Sequence, residues 1–366
     1  MRRVLVAALL VLASLGAAAP AHAQGDLAGC SANGGYEVCF NDPTGQRPVQ
    51  RQVLFRRLRQ LIDTAKQGDT INVAMFTWTK EGAKVTQALV AARQRGAGVS
   101  VVVDNTADGD QKNALRAGGV ELTVCKRGCT SDEKGSILHA KLFLMQIGGR
   151  KHTVLSTSNL TGRQRDDLAN DFVHTTADDE LYDYLLGYWV RLRVKDWLFL
   201  TPSGRVKRTA AGNTAYLFDR DHDDDPVVRI LRSVKRCTKG HAKVYVAMAL
   251  FTRPRVQKAL RFLRKRRKCN VRMVIDPLSA TGGVDEGFAQ KGLADGRVRK
   301  WPVHHKLLII DAQVGNRLRR VVYTGSHNFT INALVRHDEI WTGYTNPFVV
   351  DTYLSYFDRL FARAAP

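Results

Sequence analysis

The sequence predicts an α/β protein of two similar tandem domains, each a mixed β-sheet flanked by helices and related to the other by a pseudo-twofold axis. Three observations predict it. Short apolar runs, in part β-branched, alternate with amphipathic stretches, as strands and helices do in a layered sheet. Segments of the first half recur in the second. Val73-Ala74-Met75-Phe76-Thr77-Trp78-Thr79 matches Val246-Ala247-Met248-Ala249-Leu250-Phe251-Thr252, Val85-Thr86-Gln87-Ala88-Leu89 matches Val256-Gln257-Lys258-Ala259-Leu260, and Val101-Val102-Val103-Asp104 matches Met273-Val274-Ile275-Asp276. Finally, a His-x-Lys pair leading into an apolar strand occurs twice, at His139/Lys141 and at His304/Lys306.

In chain order, Arg2 and Arg3 precede an apolar run from Val4 to about Ala19, and Ala21-His22-Ala23 fits a small-x-small cleavage site. Residues 1–23 are therefore expected to be a signal peptide and the mature protein to be secreted. No other segment is apolar over a membrane-spanning length. The first half is expected over 24–200, a linker rich in Gly, Thr, Pro and Arg over 201–212, and the second half over 213–366. Tyr36 to Phe40 reads as a strand, and Asn41-Asp42-Pro43-Thr44-Gly45 as a turn. Val53 to Ile62 has helical spacing and is broken at Gly68-Asp69-Thr70. Ile71 to Trp78 reads as a buried strand, Lys84 to Arg95 as a helix stopped by Gly96, and Val99 to Asp104 as a further strand. Strand, helix, strand with short connections predicts parallel pairing.

The six cysteines, in a chain expected to be exported, point to disulfides. Local pairing is expected: Cys30 with Cys39, Cys125 with Cys129, Cys237 with Cys269. Zinc is the weaker reading, because no C-x2-C pair occurs. The formal net charge is +22, which favours polyanionic partners: nucleic acid, anionic lipid surfaces or phosphate-bearing substrates. The basic run Arg261 to Lys268 reads as the exposed face of a helix. Asp219, Asp221, Asp223, Asp224 and Asp225 read as a solvated acidic loop rather than a calcium site.

Chemistry concentrates at Val303-His304-His305-Lys306-Leu307-Leu308-Ile309-Ile310-Asp311. Leu307 to Ile310 is a short apolar run, read as a buried strand. Residues two apart share a face on a strand, so His304 and Lys306 point one way and His305 the other. An imidazole beside an ammonium suits chemistry on an anion. The lysine holds negative oxygens, and the histidine attacks or shuttles protons. Ser156-Thr157-Ser158-Asn159 follows the first pair, and Gly325-Ser326-His327-Asn328 follows the second. Packed about a pseudo-twofold axis, the two sets would face one pocket, one histidine attacking phosphorus and the other protonating the leaving oxygen. The two lysines supply positive charge, so neither a metal nor another cofactor is expected.

The doubled H-x-K-x4-D and G-S-x-N pattern resembles the phospholipase D superfamily, over essentially the whole mature chain. The resemblance implies that His139 forms a phosphohistidine and that His304 is the general acid, later activating water or an alcohol. It implies that Lys141, Lys306, Asn159 and Asn328 bind the phosphoryl oxygens, with the hydroxyls of Thr157 and Ser326 beside them. Downstream carboxylates orient the histidines in this family. Glu339, eleven residues after Asn328, fits in the second half, and Asp171 in the first. Two departures stand out: Gln146 replaces the aspartate that Asp311 supplies in the second motif, and Ser156 replaces the first glycine of G-S-x-N. The implied function is hydrolysis of glycerophospholipid head groups, with transfer to alcohols, by a monomer at a membrane surface. The alternatives are a nuclease on the same scaffold, with nucleic acid as substrate, and a non-catalytic binder of anionic surfaces.

His152, His174, His241 and His327 read as ordinary histidines, and Phe76, Trp78, Phe251 and Trp301 as core aromatics near strand ends. Cys125-Lys126-Arg127-Gly128-Cys129 forms a tight basic loop that either grips an acidic head group or closes a turn.

Overall fold

The computed structural model describes residues 26–131, 133–198, 204–218, 224–277, 293 and 296–365. The expected signal peptide, positions 201–203 of the expected linker, and Asp219, Asp221 and Asp223 lie outside the described residues.

The first half forms β1 Gly29–Asn33, β2 Tyr36–Phe40, β3 Thr70–Met75, β4 Gly98–Asp104, β5 Glu121–Cys125, β6 Lys141–Ile147, β7 Arg150–Ser156 and β8 Asp171–Thr175. Their order in the sheet is β1-β2-β8-β7-β6-β3-β4-β5. The second half forms β9 Val206–Arg208, β10 Thr214–Phe218, β11 Val234–Arg236, β12 Lys243–Met248, β13 Asn270–Ile275, β14 Val298–Lys300, β15 Lys306–Val314, β16 Arg317–Gly325 and β17 Glu339–Tyr344. Their order is β14-β13-β12-β15-β16-β17-β10-β9, with β11 paired to β15. Read from the other end, the second order repeats the first strand for strand.

Helices explain the mixed directions. Ala83–Gln94 returns the chain between β3 and β4, and Gly109–Ala117 between β4 and β5, so these strands pair in parallel. The β6–β7 hairpin instead turns on Gly148 and Gly149, at φ 57° and 77°, a left-handed pair that glycine adopts without strain. The predicted strand Ile71 to Trp78 ends early at Met75, and Trp78 sits fully buried in a bridge to Leu160.

Both faces of each central strand are buried, which is why these runs read as continuously apolar rather than alternating. Leu142, Leu144, Leu307 and Ile309 face one core shared by the two halves. Helix Asp179–Val194 supplies Leu185 and Trp189 to that core, and helix Pro347–Arg363 supplies Tyr353 and Phe357. Phe143 and Met145 turn to a second core under helices Val53–Asp63 and Ala83–Gln94. Leu308 and Ile310 turn to a third under Pro226–Ser233 and Pro254–Arg266. Asp178 caps the first central helix, Oδ1 accepting from Leu181 N–H at 2.9 Å, and Asn346 caps the second ahead of Pro347.

The expected linker is shortened by the structure. From Val206 the chain already pairs with β10, and Asp178 Oδ2 accepts from Thr209 Oγ1 at 2.6 Å and from Asn213 Nδ2 at 2.7 Å. The buried carboxylate fixes this stretch to the first half, so little of it acts as a free spacer. The three disulfides join Cys30 to Cys39, Cys125 to Cys129 and Cys237 to Cys269.

Candidate active site

The two His-x-Lys motifs enter the sheets side by side with the other half's chain. Leu138 bridges to Asp338, and Ala169 bridges to Val303. His139 N–H donates to the Asp338 carbonyl at 3.1 Å, and His304 N–H to the Ala169 carbonyl at 2.7 Å. Both motifs therefore leave the shared core at equivalent points, each held by the opposite half.

His139 donates Nδ1–H to Glu339, 2.9 Å from both Oε1 and Oε2. Ser326 Oγ donates to the same carboxylate. His304 donates Nδ1–H to the Thr157 carbonyl at 2.8 Å, and the Asn170 Oδ1 lies 3.2 Å away. The Thr157 hydroxyl in turn bonds Asn170 Oδ1 at 3.3 Å. The arrangement is swapped: the group behind each histidine belongs to the other half.

Lys306 Nζ lies against the His304 ring, 2.8 Å from Nδ1 and 3.0 Å from Nε2, and donates to the His304 carbonyl at 2.7 Å. Lys141 Nζ donates to the His139 carbonyl and stands 5.2 Å over the Phe76 ring. Phe76 also meets the His139 ring edge-on at 5.1 Å. Of the four aromatics flagged in the sequence, Phe76 borders the site, whereas Trp78 and Phe251 are fully buried in core. Asn159 and Asn328 are buried, and the side-chain oxygen of each lacks a hydrogen-bond partner.

Electrostatics set the protonation. Burial pushes His139 down to about 3, outweighing the Glu339 charge, with Lys141 adding to the depression. Burial, then Lys306 and Lys141, hold His304 well below its ordinary value. Burial lowers Lys141 to about 7 and Lys306 well below the usual lysine range. Lys306 acts on His139, and Lys141 on His304, so the two motifs share one field. Both imidazoles are neutral, and among the described residues His139 Nε2 has no protein partner.

Three expectations are revised. Asp171 does not orient a motif histidine. It accepts from His305 Nδ1 at 2.5 Å, Tyr353 Oη at 2.6 Å and Thr324 Oγ1 at 2.7 Å, because on β8 it points into the shared core. Asn170, one residue earlier, takes the place beside His304; it lies eleven residues after Asn159, as Glu339 does after Asn328. Thr157 and Ser326 were expected to contact substrate. Their hydroxyls are instead engaged behind the histidines, with Asn170 and Glu339.

The remaining flagged residues have structural partners. Asp311 accepts from His241 Nδ1 at 2.7 Å and pairs with Arg320 at 3.6 Å, whereas Gln146 at the equivalent place is exposed. His327 stacks on Phe218 at 3.6 Å, and His152 stacks on His174 at 5.2 Å. Asp225 caps helix Pro226–Ser233 and pairs with buried Arg253 at 3.3 Å. A residue that the sequence reading left aside is His337, whose Nδ1 is 3.7 Å from Glu339 and whose ring is 5.8 Å from His139.

The fold has known counterparts. No curated protein matches the chain in sequence. Phosphatidylserine synthase from Haemophilus influenzae Rd KW20 is similar at 12% identity and a TM-score of 0.62, over 86% of this chain and 85% of that one. Polyphosphate kinase from Porphyromonas gingivalis is similar at 16% identity and a TM-score of 0.60 over 90% of this chain, which spans about half (51%) of that enzyme. A variant of yeast tyrosyl-DNA phosphodiesterase is similar at 11% identity and a TM-score of 0.50, over 84% of this chain and 90% of that one. At these identities the likenesses establish the fold. The family described as cardiolipin synthase, PLD-like domain, matches twice, over residues 58–188 and 233–361, once in each half. The chain therefore belongs to this PLD-like domain family, within a superfamily whose members catalyse phosphodiester cleavage or transfer.

Proposed function

We propose that the chain is a secreted phosphodiesterase of the phospholipase D type, hydrolysing the head-group ester of glycerophospholipids and transferring the phosphatidyl group to alcohols. The observation that carries this reading is the pair of His–Lys sets in which each imidazole is held through Nδ1 by an acceptor from the opposite half. At His139 this leaves the Nε2 lone pair for chemistry, whereas Lys306 Nζ lies 3.0 Å from His304 Nε2.

His139 suits the nucleophile. Attack on phosphorus leaves positive charge on the ring, and the Glu339 carboxylate stabilises it. His139 Nε2 forms the P–N bond, the P–O bond to the head-group alcohol breaks, and the leaving oxygen takes the Nε2 proton of His304. Water then attacks phosphorus and gives its proton back to His304, the P–N bond breaks, and phosphatidate leaves. An alcohol in place of water gives transfer. Lys141, Lys306 and the amides of Asn159 and Asn328 hold the non-bridging oxygens as charge redistributes. His304 takes up its Nε2 proton from solvent when substrate binds, because a phosphate anion between the lysines raises the depressed imidazole.

The preference for lipid over nucleic acid rests on the export signal expected at residues 1–23 and on both motifs lying in one chain. The test is to incubate the purified protein, with chelator, against phosphatidylcholine vesicles and plasmid DNA in parallel. Phosphatidate with little DNA nicking is expected. Intact lipid beside cut DNA would make the protein a nuclease, and no turnover of either would make it a binding protein.

A further inference from the structure

Helix Asp179–Val194 ends beside the Cys125–Cys129 loop. Its outward face leaves Val190 and Val194 45% and 63% exposed, one turn apart. Lys195, left-handed at φ 56°, then turns the chain so that Trp197 and Leu198 are 51% and 75% exposed. Trp78, Trp189 and Trp341 are all buried, so a half-exposed indole is unusual in this chain. Single exposed apolar residues need no explanation, but four within nine residues, ending in Trp-Leu, form a patch.

The patch has a basic border. Lys126, Arg127 and Lys195 are exposed, and together with Ser131 and Trp197 they line a pocket of about 320 Å³. It also lies at the catalytic end of the first sheet. β8 leaves that end at Asp171, and helix Asp179–Val194 carries the chain back over 16 residues to meet the loop after β5. The Asp338 carboxylate accepts from Cys129 N–H at 2.5 Å and Thr130 N–H at 3.3 Å, while its own backbone carbonyl accepts from His139 N–H at 3.1 Å. One residue thus connects the basic loop to the motif histidine.

We infer that this surface docks the protein on an anionic phospholipid bilayer. Trp197 and Leu198 enter the interfacial zone, where an indole keeps its ring in apolar surroundings and its N–H in water. Lys126, Arg127 and Lys195 meet lipid phosphates, and the pocket between them is sized for a head group. Nucleic acid fits less well, because its backbone offers nothing to Val194 and Leu198. Docking here rests on the phospholipid reading above, but the two fail separately.

The purified protein is sedimented with vesicles of phosphatidylglycerol and phosphatidylcholine in equal parts, and with phosphatidylcholine alone. The double substitution Trp197→Ser/Leu198→Ser is expected to lower partition onto anionic vesicles about tenfold. Turnover on those vesicles falls in step, while turnover of monomeric dihexanoylphosphatidylcholine stays at the wild-type rate. Lys126→Gln/Arg127→Gln is expected to remove the preference for anionic vesicles. Partition of the Trp197→Ser/Leu198→Ser protein equal to wild type overturns the docking surface. So does a loss confined to plasmid DNA binding. Vesicle binding that depends on the patch, without turnover of either lipid, leaves docking standing and removes the phospholipase reading.

Discussion

Glu339 and Asn170 occupy equivalent places, yet one is a carboxylate and the other an amide. In the mechanism proposed above the carboxylate would stabilise an imidazolium at His139, whereas the amide oxygen and the Thr157 carbonyl would only fix the tautomer of His304. Glu339→Gln is expected to keep the fold and lower kcat by roughly 10²- to 10⁴-fold, read in steady-state kinetics. His139→Ala and His304→Ala should each abolish turnover with unchanged circular dichroism; a wild-type rate in either removes that residue from the mechanism. Lys141, held at about 7 by burial, is an ammonium below that pH and neutral above it. Phosphate binding requires the ammonium, so kcat/KM should fall as pH rises through this value. Lys141→Arg, always charged, should lose that limb. A flat profile between neutral and alkaline pH in the wild type would show that this lysine does not hold the substrate. The residues of the site were legible as motifs, because chemistry on an anion needs those types at that spacing. Which acceptor serves which histidine was not, since the acceptor comes from the far half of the chain. The count of eleven from Asn328 to Glu339, applied from Asn159, lands on Asn170, and that signal was present in the sequence.

At the scale of elements, apolar period and turn residues identified strands and helices well where both ends carried a signal. The strand Tyr36–Phe40 and the helix from Val53 follow the expected bounds. Continuous apolar runs misled nothing here, because β6 and β15 bury both faces. The stretch read as a linker failed as an element, since its polar composition hides β9 and the bonds to Asp178. Asp171 shows the same effect on β8. A carboxylate near a motif reads as chemistry, yet this one ties β8 to β16 and helix Pro347–Arg363 through Thr324 and Tyr353. Its charge is held by hydrogen bonds that offset the cost of burial, and its proton affinity falls below the usual carboxylate value. Stability from it is present above the unfolded carboxylate range and lost as acid protonates it. Asp171→Ala should therefore destabilise by about 3 kcal/mol, measured by chemical denaturation at neutral pH. An unchanged midpoint with turnover lost would reassign it to the chemistry.

The whole molecule is two copies of one sheet closed over a common core. Each copy lends the other a histidine acceptor, and each contributes a helix to the shared interior. Residues 24–204 produced without the remainder should expose that interior, aggregate, and show no turnover even at high concentration. Soluble, active protein from that fragment would disprove the mutual dependence. The swap has a further consequence. In an assembly of two identical chains, any change behind one imidazole appears behind the other as well, so acid and nucleophile must share a compromise. Fusing the copies into one polypeptide removes that tie, and a glutamate on one side with an asparagine on the other is the division of labour that fusion permits.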